Sequence, residues 1–150
     1  MPEPPPSLLL RTCTERDLDA VLKIEAESFP DPYDLETFSQ LLRYEPDGFL
    51  VAEGKDGILG YAASSARYGL IFSLAVSADH RRSGIGRKLM NGVLDYLRGR
   101  ADSVLLQVRV SNTAAIQLYR KFGFREEGRV QRYYPDGEDA LAMSLDFGAA

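Results

Sequence analysis

The feature that most constrains this chain is a strand that runs straight into a basic, glycine-bearing loop. Leu70-Ile71-Phe72-Ser73-Leu74-Ala75-Val76 reads as a strand, and His80-Arg81-Arg82-Ser83-Gly84-Ile85-Gly86-Arg87-Lys88 follows it closely. Ile85, Leu89, Met90, Val93, Leu94 and Leu97 then recur at helical spacing, so the loop opens an amphipathic helix that ends near Gly99. A helix start leaves its leading N–H groups unpaired and carries partial positive charge. Glycines let a ligand come close to the backbone. Phosphate oxygens suit such a site, and Arg81, Arg82 and Arg87 add charge for a polyanion. The bland alternative is a solvated helix start with incidental charge. The loop lacks the Gly-Lys-Ser/Thr ending of a P-loop, and Leu89 stands where a dinucleotide fingerprint needs its third glycine.

The rest of the chain alternates strand and helix signals. Residues 1–6 (MPEPPP) hold four prolines and are expected to form a disordered tail, with a single domain over 7–147. Leu8 to Cys13 reads as a strand, and Thr14 with Asp17 three residues on starts a helix. Leu18, Val21, Leu22 and Phe29 lie on its inner face, and Pro30 and Pro32 stop it. Asp34 caps a second helix over Phe38, Leu41 and Leu42. Phe49–Glu53 and Ile58–Ala66 form a hairpin about Gly54-Lys55-Asp56-Gly57. After the basic loop and its helix come a strand over Val104–Val110 and a helix over Asn112–Phe122 stopped by Gly123. A last hairpin, Phe124–Tyr134 with Ala140–Phe147, turns at Pro135-Asp136-Gly137. The order predicts an α/β domain, a mixed sheet with helices on its faces.

Composition narrows the function classes. A chain of 150 residues with 45% hydrophobic and 27% charged residues is one ordinary globular domain. A net charge of -4 argues against nucleic-acid binding, which depends on neutralising phosphates. One cysteine, Cys13, and one histidine, His80, exclude a disulfide framework and a Cys/His zinc site, so no metal is expected. Leu8-Leu9-Leu10 is too short for a signal peptide or a membrane span, and a reducing, cytoplasmic setting with no membrane partner is expected.

Leu74-Ala75-Val76 followed by Arg81-Arg82-Ser83-Gly84-Ile85-Gly86 resembles the acetyl-CoA motif of the GNAT superfamily of N-acetyltransferases. Val108-Arg109-Val110-Ser111-Asn112-Thr113-Ala114-Ala115-Ile116-Gln117-Leu118-Tyr119, running into Arg120-Lys121-Phe122-Gly123-Phe124, is similar to its second motif. Tyr133-Tyr134-Pro135-Asp136-Gly137-Glu138-Asp139-Ala140 is similar to the tail of protein N-terminal acetyltransferases, the RimI-like and archaeal enzymes among them. The resemblance implies a mixed, mostly antiparallel sheet of about seven strands flanked by about four helices. It implies that Leu74, Ala75 and Val76 pair with the pantetheine arm of acetyl-CoA. The loop of Arg81, Arg82, Ser83, Gly84, Ile85, Gly86 and Arg87 would cradle its pyrophosphate, and Asn112 would contact the arm. Tyr119 would meet the thioester sulfur as general acid, and a backbone N–H near Val76 would polarise the carbonyl. Phe29, Asp31, Tyr33 and Tyr134 would flank the peptide entrance. The implied activity is acetylation of protein N-termini, ribosomal proteins included. The alternatives are a relative acting on a small amine or a lysine, and an acyl-CoA-binding regulator without catalysis.

The sequence departs from the resembling enzymes at the base. RimI-like relatives carry Glu at the position of Gln107, and others carry Tyr or His at the position of Leu70. Neither residue here accepts a proton near neutral pH, although Gln107 can hold a water. An α-amine, with a pKa of ~7.7–8.0, needs such a base far less than a lysine at ~10.4. Loss of the base therefore favours N-terminal over side-chain acetylation. Asp31 and Glu27, near the proline break, are the candidate carboxylates.

Overall fold

The computed structural model describes residues 7–148. The tail expected at 1–6 lies outside the described residues. The chain runs β1 (Leu9–Thr12), α1 (Leu18–Ser28), α2 (Leu35–Tyr44), β2 (Phe49–Gly54), β3 (Gly57–Ser65) and β4 (Leu70–Val76). It continues with α3 (Ile85–Leu97), β5 (Ser103–Arg109), α4 (Thr113–Lys121), β6 (Arg125–Val130) and β7 (Ala140–Asp146). The strands form one seven-stranded sheet in the order β1-β2-β3-β4-β5-β7-β6. Every neighbouring pair is antiparallel except β4 with β5. The expected mixed, mostly antiparallel α/β sheet is therefore present.

Apolar side chains cover both faces. On one face Leu89, Met90, Val93 and Leu97 of α3 are fully buried against Leu50, Ala52, Leu106 and Met143 of the sheet. Burying each such aliphatic side chain contributes about 1.5–3 kcal/mol. The helix packs so close that a Cβ on Gly92 would sit 2.7 Å from Leu10 and 2.8 Å from Leu50. On the other face Val21 and Ile24 of α1 and Phe38 of α2 pack on Phe49, Val51 and Tyr61. Phe38 and Tyr61 meet edge to face with ring centroids 5.6 Å apart.

Two element boundaries differ from the sequence expectation. No continuous helix begins at Thr14. Asp17 accepts from the Thr14 N–H at 2.8 Å and from the Arg11 guanidinium at 2.7 Å, which tightens Glu15–Asp17 into a single 3₁₀ turn before α1. The last hairpin is also shorter than expected. β6 ends at Val130, because Arg132 turns left-handed (φ 51°) with its N–H donating to Asp139 at 2.9 Å. Tyr133 and Tyr134 therefore lie on a loop, closed where the Tyr134 N–H donates to the Glu138 carbonyl at 3.1 Å. Among the described residues no helix is long and apolar enough to cross a membrane.

Candidate active site

The site grows from the one parallel junction of the sheet. β4 stays paired with β3, while β5 pairs along its whole length with β7. Between them the only ladder pair is Leu70 with Leu105, beside a Leu105 N–H donating to Gly69. Beyond that point the two strands splay. The register of β4 against β3 also slips between Ala63 and Ser64. Ile71 consequently packs with the α3-side core, whereas Ala75 packs with the α1-side core and the Ser73 hydroxyl meets Glu25 of α1. A cleft of about 380 Å³ occupies the splay. Gln107 and Tyr119 line it, with Phe29, Asp31 and Tyr33 from the α1–α2 connection and Tyr133 and Tyr134 from the loop between β6 and β7.

The loop after β4 has the geometry of an anion cradle. Arg82 (φ 62°) and Gly84 (φ 84°) are left-handed, and Gly84 is the N-cap of α3 with no side chain capping the helix. The leading N–H groups of α3 are thus left for a ligand or water. Arg82 and Arg87 are exposed. A Cβ on Gly86 would lie 3.7 Å from each of Val76 and Leu118. These residues fit a pyrophosphate with an arm running along the splayed edge of β4. The expected loop and strand residues have distinct local roles. The Arg81 guanidinium turns back, its Nε donating to the Val76 carbonyl at 3.0 Å and an NH2 to the Ser28 hydroxyl at 3.0 Å. It ties the loop to β4 and α1 while remaining exposed. The Ile85 side chain is 1% exposed in the core, and Ala75 is buried, so each offers a ligand its backbone alone. Asn112 caps α4, its side chain accepting from the Ala115 N–H at 3.2 Å, while also lining the cleft.

Tyr119 is 8% exposed and packs on Phe124. Burial pushes its phenol up to about 12, so it keeps its proton at neutral pH. Gln107 projects from the exposed positions of β5 into the same cleft. Burial likewise raises Tyr134, to about 12, and raises Tyr33. The two expected carboxylate bases are both engaged. Glu27 accepts from the Ala78 N–H at 3.0 Å. Asp31 pairs with the guanidinium of Arg109, which is only 9% exposed.

Arg109 escaped the sequence reading as a site residue. Its guanidinium also pairs with Asp136 at 2.9 Å and Glu138 at 2.8 Å, and lies 4.1 Å over the Tyr134 ring. It thus joins both walls of the entrance in one network of the charge-assisted kind. The readable signal was an arginine in the mostly apolar strand read over Val104–Val110. Glu25 and Ser73 were missed too. Glu25 follows Val21 by one helical turn on the buried stripe of α1, and a carboxylate there breaks the apolar pattern. It is 3% exposed and lines the cleft.

The comparisons with known proteins agree with this geometry. The acetyltransferase (GNAT) family model matches residues 18–124. An N-alpha-acetyltransferase of Sulfolobus acidocaldarius is 33% identical over 151 aligned residues, covering 90% of each chain. The ribosomal protein bS18-alanine N-acetyltransferase of Escherichia coli is 35% identical over 138 residues, covering 86% of this chain and 90% of that one. The crystal structure of Ard1 from Thermoplasma volcanium superposes with a TM-score of 0.88 at 28% identity, over 93% of this chain and 97% of that one. With its splayed β4 and β5, its uncapped glycine loop and these relatives, the chain belongs to the GNAT family of acetyltransferases.

Proposed function

We propose that the protein transfers acetyl from acetyl-CoA to the N-terminal α-amine of proteins. The observation that carries this reading is the cleft itself, open between two tyrosine-bearing loops that Arg109 joins through Asp31 on one side and Asp136 and Glu138 on the other. Tyr33 and Tyr134 present apolar rings with hydroxyl donors, which suits an extended peptide backbone. The names of the relatives from Sulfolobus and Escherichia coli support the same substrate class. A ribosomal protein beginning with alanine is the first natural substrate to test, and the cytoplasm is the compartment where it would be met.

Acetyl-CoA supplies an acetyl group activated as a thioester. The backbone of Leu74–Val76 and the N–H groups at the start of α3 would hold it, with Arg82, Arg87 and Asn112 alongside. Tyr119 donates its proton to the leaving sulfur, a task its raised pKa suits because the phenol stays protonated. Gln107 orients the incoming amine or a water beside it. The amine enters as its free base, which for an α-amine is about a tenth of the population at pH 7. The reading is tested by incubating the protein with acetyl-CoA and peptides with free or blocked N-termini, then locating the acetyl group by mass spectrometry. Acetylation confined to free α-amines is the expected result.

A further inference from the structure

Once a neutral amine attacks, its nitrogen becomes cationic and must lose a proton. No side chain given a role so far receives it. Gln107 and Leu70 cannot, and Asp31 is committed to Arg109. Two carboxylates line the cleft, Asp31 and Glu25. Glu25 differs in that every described partner of its carboxylate is a neutral donor. Its Oε1 accepts from the hydroxyls of Ser73, at 2.8 Å, and Tyr61. Its Oε2 accepts from the Tyr33 N–H at 2.9 Å. Burial and the neighbouring carboxylate raise Tyr61, so that phenol keeps its proton and remains a donor. Glu25 is thus a buried carboxylate under the cleft whose described hydrogen-bond donors are all neutral. Ser73 connects it to the cleft, because its hydroxyl touches both Glu25 and, at 2.9 Å, the Tyr61 hydroxyl, and it lies on β4 among the cleft-lining residues.

We propose that Ser73 and Glu25 form the proton exit for the substrate amine. This rests on the N-terminal acetyltransferase reading and supplies the acceptor that reading lacks. As the nitrogen–acyl bond forms and the carbon–sulfur bond breaks, the nitrogen gives its proton to the Ser73 hydroxyl oxygen. Ser73 passes its own proton to Oε1 of Glu25, and the sulfur takes the proton of Tyr119. Glu25 ends protonated and Tyr119 ionised, and exchange with solvent through the open cleft resets both. Ser73 is the catalytic contact. Glu25 acts through it and also positions the Tyr33 backbone. The titratable groups about Glu25 are Tyr61 on β3, Tyr33 and Asp31 on the entrance loop, Tyr119 on α4 and Arg109 on β5.

The test compares Ser73→Ala and Glu25→Gln with the parent enzyme on one free-N-terminus peptide. Expected is a fall in kcat of about 10²-fold or more in both, the usual scale of lost acid–base assistance. The KM for peptide in Ser73→Ala and the calorimetric Kd for acetyl-CoA in both should stay within about threefold of the parent, since neither contact is disturbed. In mixtures of light and heavy water, kcat of the parent should depend on deuterium content with curvature, as several protons move together. Ser73→Ala should give a straighter line. The acid limb of kcat/KM, set by the peptide's own amine, should not move in either variant. If Ser73→Ala keeps near-parent kcat and curvature, the relay is overturned, while acetylation of free N-termini by the parent still upholds the broader reading. If the parent leaves free N-termini unmodified, it is the broader reading that fails. Should Glu25→Gln fold poorly, Ser73→Ala alone decides, because it removes one hydroxyl and leaves the Tyr33 anchor intact.

Discussion

Gly86→Ala separates ligand binding from stability more cleanly than any other change in the cofactor loop. Gly84 is a poorer probe. Its φ of 84° means that Gly84→Glu, expected to abolish acetyl-CoA binding, also carries left-handed strain of about 1–2 kcal/mol. Gly86 has no such constraint. It is the second residue of α3, and an added Cβ would meet Leu118 and Val76 at 3.7 Å, ordinary contact distance. Alanine is a better helix former than glycine by up to about 1 kcal/mol. The folded protein should therefore gain about 0.5–1 kcal/mol, or about 1–4 °C in Tm for a domain of this size. The same methyl would stand between Val76 of β4 and Leu118 of α4, the groove along which the family resemblance implies that the arm of acetyl-CoA runs. Losing one charge-assisted hydrogen bond through that displacement costs about 1.5–3 kcal/mol, or about 10- to 100-fold in Kd. Differential scanning fluorimetry without ligand and calorimetric titration with acetyl-CoA measure the two effects separately. A variant with raised Tm and unchanged Kd would refute the reasoning, because the groove would then not be the path of the arm.

Two further outcomes are expected. Tyr119→Phe should lower kcat about 10²–10⁴-fold while leaving the Kd for acetyl-CoA nearly unchanged, measured by steady-state kinetics and calorimetry. Asp17, held down to about 2 chiefly by its hydrogen bonds with Arg11, should govern part of the acid stability. Its folded pKa lies below the unfolded value, so this contribution is present above pH ~4 and is lost as pH falls toward 2. It amounts to about 2 kcal/mol, and urea unfolding at pH 7, 4 and 2.5 should show a shallower acid dependence in Asp17→Asn.

The elements carrying the site were legible because local signals there agree with the tertiary structure. Gly84 and Gly86 after an apolar strand announce the helix start, and Pro30 and Pro32 end α1 as expected. What was not legible depends on contacts between distant segments. The direction of Arg81 is set by Ser28, 53 residues away, and the pairing of Asp31 by Arg109, 78 residues away. No local pattern encodes either. Tyr133 and Tyr134 carry strand-forming side chains, yet the left-handed Arg132 and its bond to Asp139 override that preference. Glu25 breaks the apolar stripe of α1, but its role depends on Tyr61 of β3 and Ser73 of β4, partners 36 and 48 residues along the chain.

The choice between an α-amine and a lysine yields a prediction that does not depend on how well either substrate fits. If the amine must enter as its free base, each substrate's kcat/KM scales with its neutral fraction. At pH 7 about a tenth of an α-amine is neutral, against about 0.04% of a lysine. At pH 9 the fractions are about 90% and about 4%. The ratio of the two kcat/KM values should therefore shrink about tenfold between pH 7 and pH 9. Intrinsic nucleophilicity and steric fit multiply the ratio equally at both pH values and cancel from the change. A free-N-terminus peptide and an N-blocked lysine peptide, assayed at both pH values by mass spectrometry, measure it directly. A ratio independent of pH would mean that a residue of the enzyme deprotonates the bound ammonium, and the free-base argument would fail. Gln107→Glu is the matching gain-of-function control. Placing a carboxylate at that exposed, cleft-lining position of β5 should raise activity at pH 6–7 more than at pH 9, because only at the lower pH is the neutral amine scarce.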